Sequence, residues 1–108
     1  PGEDAEKLLS AGRDYRSCDP RLTVRAIKLY ADGALGSRGA ALLEPYSDDP
    51  RNTGLLVSAP AHIRDVAARA LRAGFQVNTH AIGDRGNRLV LDAYEAALRE
   101  HPTADHRF

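Results

Sequence analysis

The chain contains one cysteine, Cys18, so it forms no internal disulfide and has no second thiol for a zinc ribbon or a redox pair. Cys18 is read as a bystander. Net charge is also missing, since 15 Lys and Arg balance 15 Asp and Glu, and nothing in that balance draws the chain to nucleic acid or to an anionic membrane surface. No run approaches the roughly 18 apolar residues of a membrane span, so the expectation is a soluble chain; its compartment is left open, with the cytoplasm favoured. Internal repeats and low-complexity tracts are absent. Missing too is an initiating methionine. The sequence starts at Pro1 and stops at Asp105-His106-Arg107-Phe108, which looks like the approach to another strand. The expectation is therefore one internal fragment spanning 1–108, with no second domain.

What is present is an ordinary globular composition, 43% hydrophobic and 28% charged, arranged in alternating periodicities. Ala5, Leu8 and Leu9 share one face of a short helix over Asp4–Leu9 that Gly12 ends. Asp14 to Leu22 is polar, contains Pro20 and reads as a loop. The apolar run Val24–Tyr30 reads as a buried strand. Glycines at 33, 36 and 39 break the pattern, and a turn-rich segment from Leu43 to Leu56 is long enough to suggest a functional loop. Ser58 caps the next expected helix, Pro60 fits its first turn, and Ile63, Val66, Ala67, Ala70 and Leu71 recur at helical spacing before Gly74. In the strand Phe75–His80, Phe75, Val77 and Thr79 face one way, and Gln76, Asn78 and His80 the other. A third helix is expected from Asp84 as N-cap, with Val90, Ala93, Tyr94, Ala97 and Leu98 on one side. Strand, helix, strand, helix argues for a parallel α/β sheet, open or closed into a barrel.

Two residues at or near the C-terminal ends of these strands carry potential chemistry. Lys28 lies inside an apolar strand, where burial lowers a lysine pKa and makes the neutral amine accessible. A neutral amine reacts with carbon dioxide to give a carbamate, an anionic oxygen donor able to bridge two divalent metals. His80 supplies a nitrogen ligand of the kind zinc accepts. A metal so held activates water for attack on a carbonyl. From spacing alone, a snorkelling Lys28 and a hydrogen-bonded His80 remain open.

The segments Ile27 to Leu42, with Lys28-Leu29-Tyr30-Ala31-Asp32-Gly33-Ala34-Leu35-Gly36-Ser37-Arg38, then Glu44-Pro45-Tyr46-Ser47-Asp48, Gly54-Leu55-Leu56, Thr79-His80-Ala81-Ile82-Gly83-Asp84-Arg85, Leu91-Asp92-Ala93-Tyr94-Glu95 and Asp105-His106-Arg107 follow one another in a familiar order. They resemble the YtcJ-like branch (amidohydrolase family 3) of the metal-dependent amidohydrolases. The resemblance implies a (β/α)8 TIM barrel, usually with a small β-sandwich built from both chain ends. It implies hydrolysis of amide or other non-peptide C–N bonds of a small-molecule substrate at a zinc-type centre of one or two divalent ions. Matched position by position, Lys28 falls on the fourth barrel strand as the carboxylated, metal-bridging lysine, which takes up carbon dioxide. His80 falls on the fifth strand as a metal ligand. The chain then covers about strands 4 and 5 with their helices.

The family's His-x-His pair on the first strand, its histidine on the sixth and its aspartate on the eighth have no counterpart in this chain. That aspartate is the usual general base, so the isolated fragment is expected to be inactive. Asp32, Gly33, Ser37 and Arg38 are candidates for a loop bordering substrate, with Arg38 either orienting substrate or salt-bridged within the loop. Asp84 is a helix cap or a contact behind the metal ligands. Tyr46 and Asp48 close the long loop over substrate, or Tyr46 packs beneath it. His62, His101 and His106 read as solvated. The alternative function is a non-catalytic α/β module that binds an anion or partner through the Gly33–Gly39 loop, although that loop lacks the Lys-Ser/Thr ending of a phosphate loop. Two or three parallel strands leave open edges, so self-association or the remainder of a longer chain is expected as partner.

Overall fold

A computed structural model describes residues 2–12 and 21–108; Cys18 and most of the loop expected over Asp14–Leu22 lie outside the described residues. Helix α1 covers Glu3–Ala11, with acidic side chains in its first turn and Gly12 as C-cap at φ 69°. Strand β1 is Ala26–Tyr30, and after a long connection helix α2 runs Pro60–Ala73. Strand β2 is Gln76–His80, followed by helix α3 over Asp84–Glu100.

The strands pair in parallel, Ile27 opposite Val77 and Tyr30 opposite His80. Parallel pairing needs a crossover, and the long connection with α2 provides it, giving one βαβ unit with α3 as a further layer element. One face of the sheet is apolar. Ile27, Leu29 and Val77 from the strands pack with Ile63, Val66, Ala67, Ala70 and Leu71 of α2 and with Val90, Ala93 and Ala97 of α3. Ile63, Val66 and Val77 are no more than 1% exposed, and each such side chain contributes about 1.5–3 kcal/mol by leaving water. Leu9 joins this core from α1, and Arg69 of α2 holds Glu6 of α1 through both carboxylate oxygens.

The helix starts differ from the sequence expectation. Ala59, not Ser58, is the N-cap of α2 and no side chain caps it; Pro60 occupies the first turn, where a missing N–H costs nothing. Gly83, not Asp84, is the N-cap of α3, again without a capping side chain of its own. The C-terminal end of α2 follows the expected pattern, with Gly74 in the left-handed conformation at φ 77° and its N–H bonded to the last turn. Among the described residues no helix is long and apolar enough to cross a membrane.

Candidate functional site

The register places Lys28 and His80 on the same face of the sheet, opposite the core. Alternation along β1 puts Ile27 and Leu29 inside and Lys28 and Tyr30 outside, while β2 buries Val77 and exposes Asn78. Tyr30 is directly opposite His80, and Lys28 opposite Asn78. Lys28 is exposed, where the apolar strand pattern suggested burial. The reason is that the described elements cover only one side of this two-stranded sheet. The Lys28 ammonium lies 5.1 Å from the Tyr30 ring centroid, and that ring lies 5.5 Å from the His80 imidazole. Tyr30 thus stands between the two candidate ligands, a position that parity with Lys28 along the strand already contained.

His80 is partly exposed at the end of β2. Its Nε2 lies 3.4 Å from the Gly33 carbonyl oxygen and 3.8 Å from Asp32 Oδ1. Both are acceptors.

Asp32, a substrate-loop candidate by sequence, is 1% exposed. Its Oδ2 accepts the backbone N–H of Ala41 at 2.9 Å and of Gly83 at 2.8 Å, and its Oδ1 accepts that of Ile82 at 2.9 Å. Burial works against its ionisation and is the largest single influence. The three N–H bonds, with His80 beside them, outweigh it and hold the carboxyl below the usual carboxylate range. The same carboxylate sits at the N-terminus of α3, where unpaired N–H groups and the helix dipole favour an anion. Asp32 thus ties the start of α3 to the segment after β1 through the N–H of Gly83, while within the first turn Asp84 Oδ1 accepts the N–H of Arg85. Close approach is the condition: a Cβ on Gly86 would fall 2.7 Å from Asp32 Oδ2, and one on Gly83 would fall 1.8 Å from the Ala41 carbonyl oxygen.

The segment after β1 folds on itself. Gly33 N donates to Gly39 O at 3.0 Å, and Gly39 and Ala40 both donate to Ala34 O. Arg38, with φ 56°, forms a two-pronged ion pair with Asp48 through Nε at 3.2 Å and Nη2 at 2.8 Å. Ser37 is exposed, its hydroxyl 3.2 Å from the Ala34 carbonyl. Tyr46 is buried beneath the long loop and donates its hydroxyl to Ala40 O at 3.0 Å. Asp84 is exposed in the first turn of α3, and its Oδ1 accepts the N–H of Leu43 at 2.8 Å and of Arg85 at 2.7 Å. It ties the long loop to the helix. His62 is exposed, His101 lies 2.8 Å from Arg72 Nη1, and His106 packs edge-on to Phe108.

Among the described residues no three His, Cys, Asp or Glu side chains are grouped closely enough to hold a metal. The donors of the open sheet face, an exposed amine and an imidazole with one nitrogen turned to acceptors, suit part of a metal centre. Asp32 was the residue whose role sequence reading missed. Only the pairing with Ile82 and Gly83, some 50 and 51 positions away, makes it a junction.

The described residues form a small α/β unit of two parallel strands and three helices, with an imidazole and an amine on its open sheet face. The chain belongs to the amidohydrolase family, whose model matches residues 2–108. It is 40% identical over 88 residues to YtcJ of Bacillus subtilis (strain 168), a protein provisionally named an amidohydrolase, covering 82% of this chain and 16% of that protein. It is 39% identical over 87 residues to Protein LONG AFTER FAR-RED 3 of Arabidopsis thaliana, covering 81% of this chain and 15% of the relative. A crystal structure of an uncharacterized metal-dependent hydrolase from Pyrococcus furiosus superposes with a TM-score of 0.77 at 40% identity, over 88% of this chain and 20% of that one. The chain thus spans a small part of the length of the proteins it resembles.

Proposed function

We propose that the full-length protein carrying this chain is a metal-dependent hydrolase of amide or other non-peptide C–N bonds, and that Lys28 and His80 are two of its metal ligands. The observation that carries the reading is the register, which sets Lys28 and His80 on one face of neighbouring strands, near their C-terminal ends. In a (β/α)8 barrel that end holds the active site, and β1 and β2 would be its fourth and fifth strands. Membership in the amidohydrolase family and the likeness to a metal-dependent hydrolase support it.

In this reading the Lys28 amine, once neutral, attacks carbon dioxide; an N–C bond forms, a proton leaves, and a carbamate remains with two oxygens to offer. His80 offers an imidazole nitrogen. One or two divalent ions of the zinc type, when bound, supply Lewis acidity toward water and the substrate carbonyl. The loop from Gly33 to Arg38 borders the strand end, and Arg38, held by Asp48, contributes to its shape. The Gly33–Gly39 loop engages the backbone donors of Gly33, Arg38, Gly39 and Ala40 internally, which removes them from an anion-binding role. The isolated chain would be inactive, lacking the remaining ligands and the general base, and its open sheet edges and uncovered helix faces would be covered by the rest of the protein or by a second copy.

The test is hydrolysis of a panel of small amides by the full-length protein before and after removal of metal with a chelator. Activity that vanishes with chelation, returns with a divalent metal and is absent from the isolated chain is the expected result. Hydrolysis indifferent to chelation, or carried out by the isolated chain, would contradict the reading.

A further inference from the structure

The carboxylate of Asp32 is buried at the end of β1, and two of its neighbours define a direction. Its Oδ2 is occupied by the N–H groups of Ala41 and Gly83. Its Oδ1 takes the N–H of Ile82 and faces His80 Nε2 at 3.8 Å, with the Gly33 carbonyl oxygen at 3.4 Å from the same nitrogen. Of the two acceptors only the Gly33 oxygen is within hydrogen-bond reach, with the Asp32 charge just beyond it; in a neutral imidazole both favour the proton on Nε2. The lone pair is then on Nδ1. The seat of Asp32 is tight, because Gly86 of α3 leaves room for Oδ2 that a side chain would take. Three backbone N–H groups hold the carboxylate in this orientation beside the ring.

We propose that Asp32 is a positioning residue for His80: the buried carboxylate, together with the Gly33 carbonyl, fixes the imidazole as the Nε2–H tautomer and leaves Nδ1 as the ligating nitrogen. This rests on the metal-hydrolase reading above only for its consequence, since the tautomer is a property of the metal-free protein. A carboxylate behind a ligating histidine raises its basicity and sets its orientation, and loss of such a partner lowers metal affinity about 10- to 100-fold. Asp32 is removed from direct contact with substrate by its burial and acts through His80.

The experiment uses the full-length protein, metal-free and labelled with 15N-histidine, with His80→Gln to assign the signal. At a fixed neutral pH the His80 nitrogens report protonated Nε2 and unprotonated Nδ1 in the wild type. Asp32→Asn, with its oxygen kept on Ala41 and Gly83, turns its NH2 toward His80 and gives up the bond from the Ile82 N–H, so stability falls and the signal is expected to move toward the Nδ1–H form. Zinc affinity, measured by chelator competition, is expected to fall about 10- to 100-fold. Tyr46→Phe is the structural comparison: it loosens the same loops through the Ala40 carbonyl without touching His80, so it lowers the melting temperature while leaving tautomer and zinc affinity unchanged. A wild-type His80 protonated at Nδ1, or a tautomer unaltered in folded Asp32→Asn, overturns the proposal, even if stability falls. Should Asp32→Asn fail to fold, the wild-type tautomer decides alone. A wild type that binds no zinc yet shows the Nε2–H form and its loss in Asp32→Asn would sink the hydrolase reading and Nδ1 as a ligand with it, while the control of the His80 tautomer by Asp32 would stand.

Discussion

Gly83, the N-cap of α3, donates its backbone N–H to Oδ2 of Asp32 at 2.8 Å, although 51 positions separate them in sequence. That bond couples the segments that follow the two strands. The N–H of Ala41 meets the same oxygen, and the N–H of Gly86 meets the Ala41 carbonyl at 3.1 Å. The segments that follow the C-terminal ends of β1 and β2 are therefore held together, which fixes the candidate ligands Lys28 and His80 relative to each other.

The closeness of this junction makes its glycines unequal. Gly83→Ala would put a Cβ 1.8 Å from the Ala41 carbonyl oxygen, whereas Gly36 has nothing within 4 Å of its added Cβ. Gly83→Ala is expected to cost about 3 kcal/mol or more of stability, and Gly36→Ala within about 0.5 kcal/mol of nothing. Chemical denaturation of the two full-length variants checks the contrast; equal effects would contradict the close approach.

Tyr94 links α3 to β2, its hydroxyl 2.6 Å from Thr79 Oγ1 and 3.2 Å from the Val77 carbonyl oxygen. Burial pushes this phenol above its ordinary value, and the hydrogen bonding with Thr79 only partly offsets it. A raised pKa means stability fully present below the unfolded value near about 10 and lost as pH rises through the folded value. Tyr94→Phe is therefore expected to cost about 1 kcal/mol at neutral pH and to flatten the alkaline loss of stability. Thermal melts of both proteins from neutral to strongly alkaline pH are the measurement, and parallel curves would count against the assignment.

Arg38 and Asp48 form a two-pronged but exposed pair. The hydrogen bond to Asp48 raises the guanidinium pKa and lowers that of the carboxyl, yet an exposed pair is screened by salt. A double-mutant cycle of Arg38→Ala and Asp48→Ala is expected to give a small coupling that shrinks between low and high ionic strength. Coupling that is large and indifferent to salt would show the pair to be shielded from solvent in the full-length protein.

The two strands and three helices were legible because their periodicities are local. Val77 between Gln76 and Asn78, and Ile63 with Val66, Ala67 and Ala70, announce a strand face and a helix stripe without reference to the rest of the chain. Caps were less legible. Ser58 and Asp84 are good capping residues, but Pro60 fixes the start of α2 at Ala59, and α3 begins at Gly83, whose N–H is held by Asp32 from another loop. Lys28 was expected to be buried because its neighbours in sequence are apolar; in a strand, though, alternate residues face opposite sides, and its side is uncovered among the described residues. Candidate ligands on neighbouring strands could be named from the motif, whereas the contacts behind His80 depend on tertiary pairing that no local pattern contains.

The central claim is that Lys28 and His80 hold a divalent metal, and elemental analysis of the full-length protein tests it most directly. The protein is purified without chelator, with bicarbonate present, beside Lys28→Ala and His80→Ala. Near-stoichiometric divalent metal in the parent, lost or strongly reduced in both variants while each stays folded, is the predicted result. A parent without metal, or variants that retain it in full, would contradict the account and return both residues to structural roles.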